Sequence, residues 1–276
     1  MKPCPLALMA LLPWLLTACP REKNEEPLTQ AEAWQALEVS TIESQGQALA
    51  SDNIEIATNF TIGGAVQAAA AELRTFVASQ LPCATLTLAD HTLTIDYGTT
   101  GTCLYHGNPI TGQSQVTIAQ NDATQVVVDH KWTALSNGLV KVDGTAEVTW
   151  NKVDPSRHVV HDVTVVRLID QKTVESSGDR LQKPLAGGIT EGISVDGSRA
   201  WTSDRGTWDL DIQNVEMRWI DPVPQAGQYV LTTPADKEIT LSFARKDVDT
   251  ITVTLAGPKR SFTFDVTKAG DTTQTG

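Results

Sequence analysis

The feature that most constrains the fold is an alternation of apolar and polar residues that begins after Pro82 and continues to the C-terminus. It is clearest in Ile239-Thr-Leu-Ser-Phe243, Ile251-Thr-Val-Thr-Leu255 and Phe262-Thr-Phe-Asp-Val266. A period of two places the apolar side chains on one face of a β-strand. Short polar or proline-containing segments separate these runs, so the strands are expected to form an antiparallel meander.

Two stretches before Pro82 have the three-and-four spacing of amphipathic helices, from Leu28 to about Ser51 and from Gly64 to Ser79. Helices followed by a run of strands predict a mainly β fold of the α+β class. We expect a large antiparallel meander sheet, curled into a sandwich or an incomplete barrel, with the two N-terminal helices packed on its apolar face. A chain of 276 residues that is 41% hydrophobic can bury one such core, so residues 28–276 are predicted to form a single domain.

Three hairpin registers follow from the alternation. Leu86 and Leu88 should face Ile95 and Leu93 across a turn at Asp90-His91. A three-residue loop at Ser136-Asn137-Gly138, with Gly138 in the left-handed conformation, should place Trp132 opposite Val142. A change of phase across Gln213-Asn214 predicts a two-residue turn that puts Trp208 opposite Trp219.

The N-terminus has the layout of an export signal. Lys2 precedes an apolar stretch from Leu6 to Leu16, which is about 11 residues long and well short of the roughly 20 that a membrane-spanning helix needs. The tetrad Leu16-Thr-Ala-Cys19 resembles the bacterial lipobox, which implies removal of residues 1–18 as a signal peptide and attachment of fatty chains such as palmitate to Cys19. The alternative is a simple secretory signal, which leaves Cys19 as an unexplained free thiol.

Residues 19–27 are polar and bounded by Pro20 and Pro27, so they are predicted to form a flexible, solvated tether. In enteric-type bacteria a residue other than aspartate after the lipidated cysteine resembles an outer-membrane sorting signal. The expected location is therefore the cell envelope, lipid-anchored at the outer membrane of a Gram-negative bacterium. The membrane, reached through the lipid on Cys19, is the partner that this interpretation names.

The four cysteines fit an oxidising compartment. Cys4 lies in the segment predicted to be removed and Cys19 takes the lipid, which leaves Cys83 and Cys103 as a candidate disulfide. A bridge that closes a loop of this size stabilises a fold by about 3 kcal/mol. A half-formed metal site is the alternative, but neither cysteine has a CxxC neighbour.

The charge and the missing motifs exclude several classes of function. A formal net charge of -12, with no basic run longer than two residues, argues against binding to nucleic acid. The chain has no GxSxG elbow, no Walker loop and no HExxH motif, so it is predicted to be non-enzymatic, without catalytic residues and without a cofactor.

The histidines do not favour a metal site. His158 and His161 should point to opposite faces of a strand, and the expected registers separate His130 from His161 by on the order of 16 Å. His130 lies between Val128 and Trp132 on an apolar face, opposite Gly144, where a small pocket could make it a ligand contact. The alternative is a core histidine whose ring nitrogens bind backbone or water.

The tryptophans divide into two groups. Four of them fall on faces assigned to the core, at positions 132, 150, 208 and 219. Trp201 lies in the turn-rich segment 198–206, and we predict it as the second candidate ligand contact, on the surface.

Several motifs resemble those of a family of lipoproteins, of no assigned activity, from myxobacteria and related Gram-negative bacteria. They are Phe60-Thr-Ile-Gly63, Pro82-Cys83, Thr92-Leu-Thr-Ile-Asp-Tyr-Gly98, Cys103, Leu135-Ser-Asn-Gly138, Val142-Asp-Gly-Thr145, and Gly206-Thr-Trp-Asp-Leu210 through Trp219. They cover nearly the whole mature chain. The resemblance implies a lipid anchor and a cysteine-bounded β-hairpin, and it transfers no catalytic residue.

Three hypotheses for function remain. The first is a membrane-anchored envelope lipoprotein that serves as a non-enzymatic structural or binding module. The second is a carrier or receptor for a lipid or other apolar ligand held in a cavity of the curled sheet. The third is a hydrolase without a recognisable motif. The sequence does not identify the ligand or protein partner.

Overall fold

The structure is a computed structural model that describes residues 23–27, 29–58, 66–105 and 107–276. The predicted signal peptide, Cys19 and the motif at Phe60–Gly63 lie outside these residues. The elements are α1 (Gln30–Thr58), α2 (Val66–Gln80), β1 (Thr85–Ala89), β2 (Thr92–Asp96), β3 (Cys103–Tyr105), β4 (Asn108–Asn121), β5 (Gln125–Ser136), β6 (Val140–Asn151), β7 (Ser156–Arg167), β8 (Thr173–Leu185), β9 (Gly188–Ser203), β10 (Gly206–Arg218), β11 (Ala226–Thr232), β12 (Glu238–Arg245), β13 (Thr250–Gly257), β14 (Arg260–Thr267) and β15 (Thr272–Gln274).

All these strands belong to one antiparallel sheet, as the alternation predicted. From β4 onward each strand pairs with the next one in the chain, β2 joins β1 to β4, and β3 pairs with the start of β4. Strands β1 and β15 lie at the two ends of this order, so the sheet stays open over the part of the chain that is described. The predicted fold class, a large antiparallel meander with N-terminal helices packed on it, is confirmed.

Helix α1 begins with a capping box. The Thr29 hydroxyl accepts a hydrogen bond from the Glu32 amide (3.2 Å), and the Glu32 carboxylate accepts one from the Thr29 amide (2.7 Å). The helix continues to Thr58, one to two turns beyond the predicted end. No helix in the described ranges is long and apolar enough to cross a membrane.

The two helices cover one end of the sheet. Helix α1 packs mainly on β6, β7 and β8, and α2 packs on β1, β2 and β4. Gly46 lets α1 approach closely, since a Cβ there would lie 2.3 Å from a methyl carbon of Val165. We call the face under the helices the inner face and the opposite one the outer face. The main core lies between the helices and the inner face, and two smaller apolar clusters continue it along β9–β14.

The first predicted hairpin is confirmed. Leu86 pairs with Ile95 and Leu88 with Leu93, and the turn residue Asp90 has a positive φ of 51°. The predicted disulfide is also present, because Cys83 and Cys103 are bonded with their Cα atoms 5.2 Å apart. It ties the segment after α2 to β3.

The second predicted register is wrong. Trp132 pairs with Gly144, and Val142 pairs instead with Leu135. A β-bulge at Ala134, which has a φ of 48°, inserts extra length into β5 and shifts the pairing. Gly138 does have the predicted left-handed conformation, with a φ of 85°.

The third predicted hairpin does not exist. β10 runs without interruption from Gly206 to Arg218, and Gln213-Asn214 is a second bulge, with Asn214 at a φ of 48°. Trp208 is buried on the inner face as expected, whereas Trp219 follows the strand and is 55% exposed. A bulge changes the phase of the alternation as a two-residue turn does, so this pattern could not distinguish them.

Both bulges are held by the same short motif on a neighbouring strand. In Val142-Asp-Gly-Thr145 the Asp143 carboxylate accepts a hydrogen bond from the amide of Ala134 (2.7 Å), and in Val195-Asp-Gly-Ser198 the Asp196 carboxylate accepts one from the amide of Asn214 (2.6 Å). The glycines have φ values of 145° and 133°. The repeat in the sequence is therefore a repeated device that supports a bulge.

The described part of the tether is not free. The Asn24 amide donates to the carbonyl of Asp236 (2.9 Å), and the Lys237 ammonium donates to the carbonyl of Pro27 (3.0 Å). Lys23 forms an ion pair with Glu238. Over residues 23–27 this corrects the expectation of a flexible tether, because these residues lie along the turn between β11 and β12, while four of the five stay exposed to solvent.

Candidate functional site

The pairing of the strands places a line of residues across the inner face. One residue from each of β5 to β9 contributes to this line, and each is paired with the next: His130, Ala146, His161, Gly178 and Arg199. Helix α1 crosses this line with Glu43 and Gln47 facing the sheet, because both side chains contact inner-face residues. The result is a polar cluster inside an apolar core.

The cluster is built from hydrogen bonds between the helix and the sheet. The Gln47 amide nitrogen lies 2.8 Å from His161 Nε2 and 3.4 Å from the Ser176 hydroxyl. Ser176 donates to the Glu43 carboxylate (3.3 Å). All four side chains are buried. Buried polar groups normally need partners, and this cluster supplies most of them.

The two arginines of the cluster differ in their partners. Arg199 Nη1 lies 3.2 and 3.1 Å from the two carboxylate oxygens of Glu43, which form its ion pair. Arg180 is 9% exposed, has no carboxylate within 4 Å among the described residues, and makes a single 3.5 Å contact to the Gln47 carbonyl oxygen. Its Nε has no partner in that part of the chain. Burial and the charge of Arg199 lower the pKa of Arg180 to about 10.

His161 stays neutral within this cluster. Burial, followed by the charges of Arg180 and Arg199, lowers its pKa to about 3. Gly178 provides the space for the imidazole, since a Cβ at that position would lie 2.4 Å from His161 Cε1. With His161 neutral, Arg180, Arg199 and Glu43 leave one positive charge uncompensated.

His130, predicted as a ligand contact, is buried and stacks on Trp132 with ring centroids 6.0 Å apart. It lies opposite Ala146, and the glycine above which a pocket was expected lies opposite Trp132. Neither ring nitrogen has a partner among the described residues, and burial, followed by the charge of Arg157, lowers its pKa to about 4. Its burial fits the alternative expectation, a core histidine, whereas the backbone partners expected for the ring nitrogens are not found among the described residues.

Trp201, the other predicted ligand contact, is not on the surface. It is 3% exposed and belongs to the main core, between Ser176 of β8 and Trp208 of β10. The segment 198–206 looked like a turn because Ser198, Arg199 and Ser203 surround the tryptophan, whereas β9 continues through it to Ser203.

The faces of His158 and His161 agree with the prediction. His161 contacts helix α1 on the inner face, while His158 Nε2 lies 2.5 Å from a carboxylate oxygen of Asp179 on the outer face. His130 and His161 are two strands apart with no offset, which reduces the expected separation to about 10 Å. No group of three or more His, Cys, Asp or Glu residues in the described ranges is arranged to hold a metal ion.

A groove lies on the outer face of the same strands. It has a volume of about 470 Å³ and is lined by side chains of β6 to β9, among them Glu147, Val160, Asp162 and Asp179. A neighbouring depression of about 310 Å³ between β4 and β6 includes Asp129 and Lys131. Asp129 and Glu147 are directly paired, so two like charges face each other. This surface would repel anions.

Comparison of the chain with protein-family models, with curated proteins and with solved structures found no significant match in any of the three. The resemblance to a lipoprotein family therefore stays a prediction.

Sequence reasoning missed Arg180, Arg199, Glu43 and Gln47. The inner-face positions of β8 read Val174, Ser176, Gly178 and Arg180, an order with too few apolar residues to mark a buried face. The available signal was His161, which stands in an otherwise apolar alternation with Val159 and Val163. Only the position of α1 shows what that histidine contacts.

Proposed function

We propose that this chain is an envelope lipoprotein, held on a membrane by fatty chains on Cys19, whose helix-covered sheet is a non-enzymatic binding module. The observation that carries the proposal is the Cys83–Cys103 disulfide. It is typical of an oxidising, exported compartment, and it accounts for two of the three cysteines after the predicted cleavage point, the third being Cys19. The outer-face groove is the surface that such a module would present.

Intact mass of the protein extracted from bacterial membranes tests this proposal. We expect the wild-type chain to begin at Cys19 and to carry the added mass of its acyl chains. Cys4→Ala should give the same mass, because that residue is removed with the signal. Cys19→Ala should carry no lipid. An unmodified mature chain with Cys19 intact would refute the lipoprotein proposal.

A second candidate function is the binding of an apolar ligand, and it is favoured by the C-terminal half of the inner face. The apolar residues of β11–β14 lie on this face, beyond the strands on which the helices mainly pack. Several are only half-buried, namely Tyr229, Leu231, Leu241, Leu255 and Phe264. A long acyl chain could lie along them.

Arg180, which has no carboxylate partner among the described residues, could pair with a negatively charged end of such a ligand. Arg180 pairs with Gly197, whose other neighbour is Ile212, and Ile212 pairs with Tyr229 of the half-buried face. A buried guanidinium without a carboxylate is unfavourable unless an anion neutralises it. The ligand class is therefore an acyl chain with a carboxylate or phosphate head.

Thermal unfolding of the purified protein with octanoate, octanol or inorganic phosphate tests this candidate. We expect octanoate to raise Tm more than the other two, since it alone combines the chain and the charge. Arg180→Met should abolish that rise without lowering the Tm of the free protein, because it removes an unpaired charge. Arg199→Met is the matched control and should lower Tm, because it leaves the buried Glu43 carboxylate without its ion-pair partner. Equal shifts with octanol and octanoate would contradict the anionic site.

A further inference from the structure

We propose that the protein rests on the bilayer with one particular end of its sheet, and that apolar turn residues at this end enter the membrane interface. This anchor end consists of residues 23–27 and the turns 137–139, 168–172, 204–205 and 233–237. The inference rests on the proposed lipid anchor at Cys19. The partner that contacts the anchor end is a lipid surface.

The number of residues between Cys19 and the bound segment decides which end faces the membrane. Asn24 and Pro27 are hydrogen-bonded to the turn between β11 and β12, so at most the four residue steps from Cys19 to Lys23 can span the gap to the membrane. Four residue steps reach at most about 14 Å. The opposite end is about 40 Å away along strands of 12 residues such as β7, which is out of reach.

Helix α1 connects the β7–β8 turn of this end to the turn that binds the tether. Glu32 binds Lys237 in the β11–β12 turn (2.7 Å), and Glu38 binds Arg167 (2.8 Å) and Lys172 (2.6 Å) at the β7–β8 turn. Glu32 and Glu38 are six positions apart, about 9 Å along a helix. The two turns therefore lie close together on one side of the molecule even though the sheet twists between them.

The β5–β6 and β7–β8 turns carry exposed apolar side chains. Ile169 is 89% exposed, Leu139 is 61% exposed and Leu168 is 36% exposed. The Leu168 amide donates to the Leu139 carbonyl (2.9 Å), so these residues form one patch. The opposite end also has exposed apolar side chains, at Val153, Trp219 and Val248. Exposure alone therefore does not decide which end faces the membrane, and the short tether does.

Charge distinguishes the anchor end from the outer face of the sheet. The basic side chains at the anchor end are paired with carboxylates, in Lys23–Glu238, Lys237–Glu32 and Arg167–Glu38. The acidic row of the outer face, which includes Glu147 and Asp179, lies at the middle of the strands. An anionic membrane would repel that row, whereas at the anchor end it would meet these ion pairs, the apolar tips and the exposed carboxylates of Glu25 and Glu26.

Single-site fluorescent labelling of the full-length protein in vesicles of phosphatidylethanolamine and phosphatidylglycerol tests the orientation. Ile169→Cys and Val153→Cys each add one thiol at an exposed apolar turn position, on opposite ends. A lipid-borne quencher should quench the label at 169 several-fold more than the label at 153, and the emission at 169 should shift to shorter wavelength.

The parent protein, which carries neither added cysteine, distinguishes a failure of the lipid anchor from a failure of the orientation. With Cys83 and Cys103 bonded and Cys19 acylated, it should take up no thiol label at all. Label on the parent's Cys19 would refute the anchor itself. An unlabelled parent with equal quenching at 169 and 153, or stronger quenching at 153, would keep the anchor and refute the orientation.

Discussion

At the scale of single residues, the molecule places ionisable groups inside an apolar core and keeps its histidines neutral there. His161 stands opposite Gly178 and binds Gln47 of α1, and His130 stacks on Trp132. The alternation correctly predicted that His158 and His161 occupy opposite faces, because that depends only on positions along the strand. Its partners come from a helix 114 positions away in the chain, and no local pattern encodes that contact.

Stability should fall on mild acidification because of these two histidines. Burial lowers the pKa of His161 to about 3 and that of His130 to about 4, against 6.5 for a free side chain. Below that ordinary value the unfolded chain binds protons that the folded protein does not bind. The free energy of unfolding should therefore decrease by about 1.4 kcal/mol per pH unit for each histidine as the pH falls from about 6.5 towards 4.

Urea unfolding at about pH 7, 6 and 5 measures this slope. His161→Gln should reduce it, since one of the two groups no longer titrates. His91→Gln, at an exposed turn position, is the control and should leave it as in the wild type. An unchanged slope in His161→Gln would show that this histidine is not buried as described.

At the scale of elements, two bulges and the Asp-Gly pairs beside them set the registers of β5 with β6 and of β9 with β10. The chain carries the same motif at Asp143-Gly144 and Asp196-Gly197, and each aspartate holds the amide of a bulged residue. The repeated Asp-Gly motif is visible in the sequence, but its role in holding a bulge is not. The bulged residues, Ala134 and Asn214, lie on other strands, so the motif gains its meaning only through strand pairing.

Replacing either motif glycine by alanine should destabilise the fold by about 2 to 3 kcal/mol, as expected for strained backbone with a close contact. Gly144 has a φ of 145° and Gly197 a φ of 133°, and a Cβ would lie 2.3 Å and 2.1 Å, respectively, from a backbone oxygen of the neighbouring strand. Gly257→Ala is the control, because nothing lies within 4 Å of a Cβ there. Equal urea midpoints for Gly197→Ala and Gly257→Ala would contradict the described backbone.

At the scale of the whole molecule, the helices support the sheet unevenly. β5 and β7 alternate between buried and exposed positions, whereas every residue of β11 is half-buried. The half of the sheet beyond the helices therefore has fewer fully buried contacts. Such regions open more easily than a covered core.

Amide hydrogen exchange should therefore be slower in the helix-covered strands than in the C-terminal ones. We expect Val128 and Val163 to exchange with the slowest class of amides, and Leu241 and Leu255 to exchange faster although they also lie in central, paired strands. Uniform protection across these four positions would show that the sheet opens as a single unit.

The sequence by itself determined the secondary structure class, the meander order, the Cys83–Cys103 pairing and the faces of most strands. Each depends on short-range periodicity or on counting residues, both of which are local. Only the tertiary structure decided the registers around Ala134 and Asn214, the burial of Trp201, the polar cluster under α1 and the attachment of residues 23–27 to a distant turn. In a period-two pattern a bulge and a turn look alike, and a polar residue reads as exposed until the element that covers it is in place.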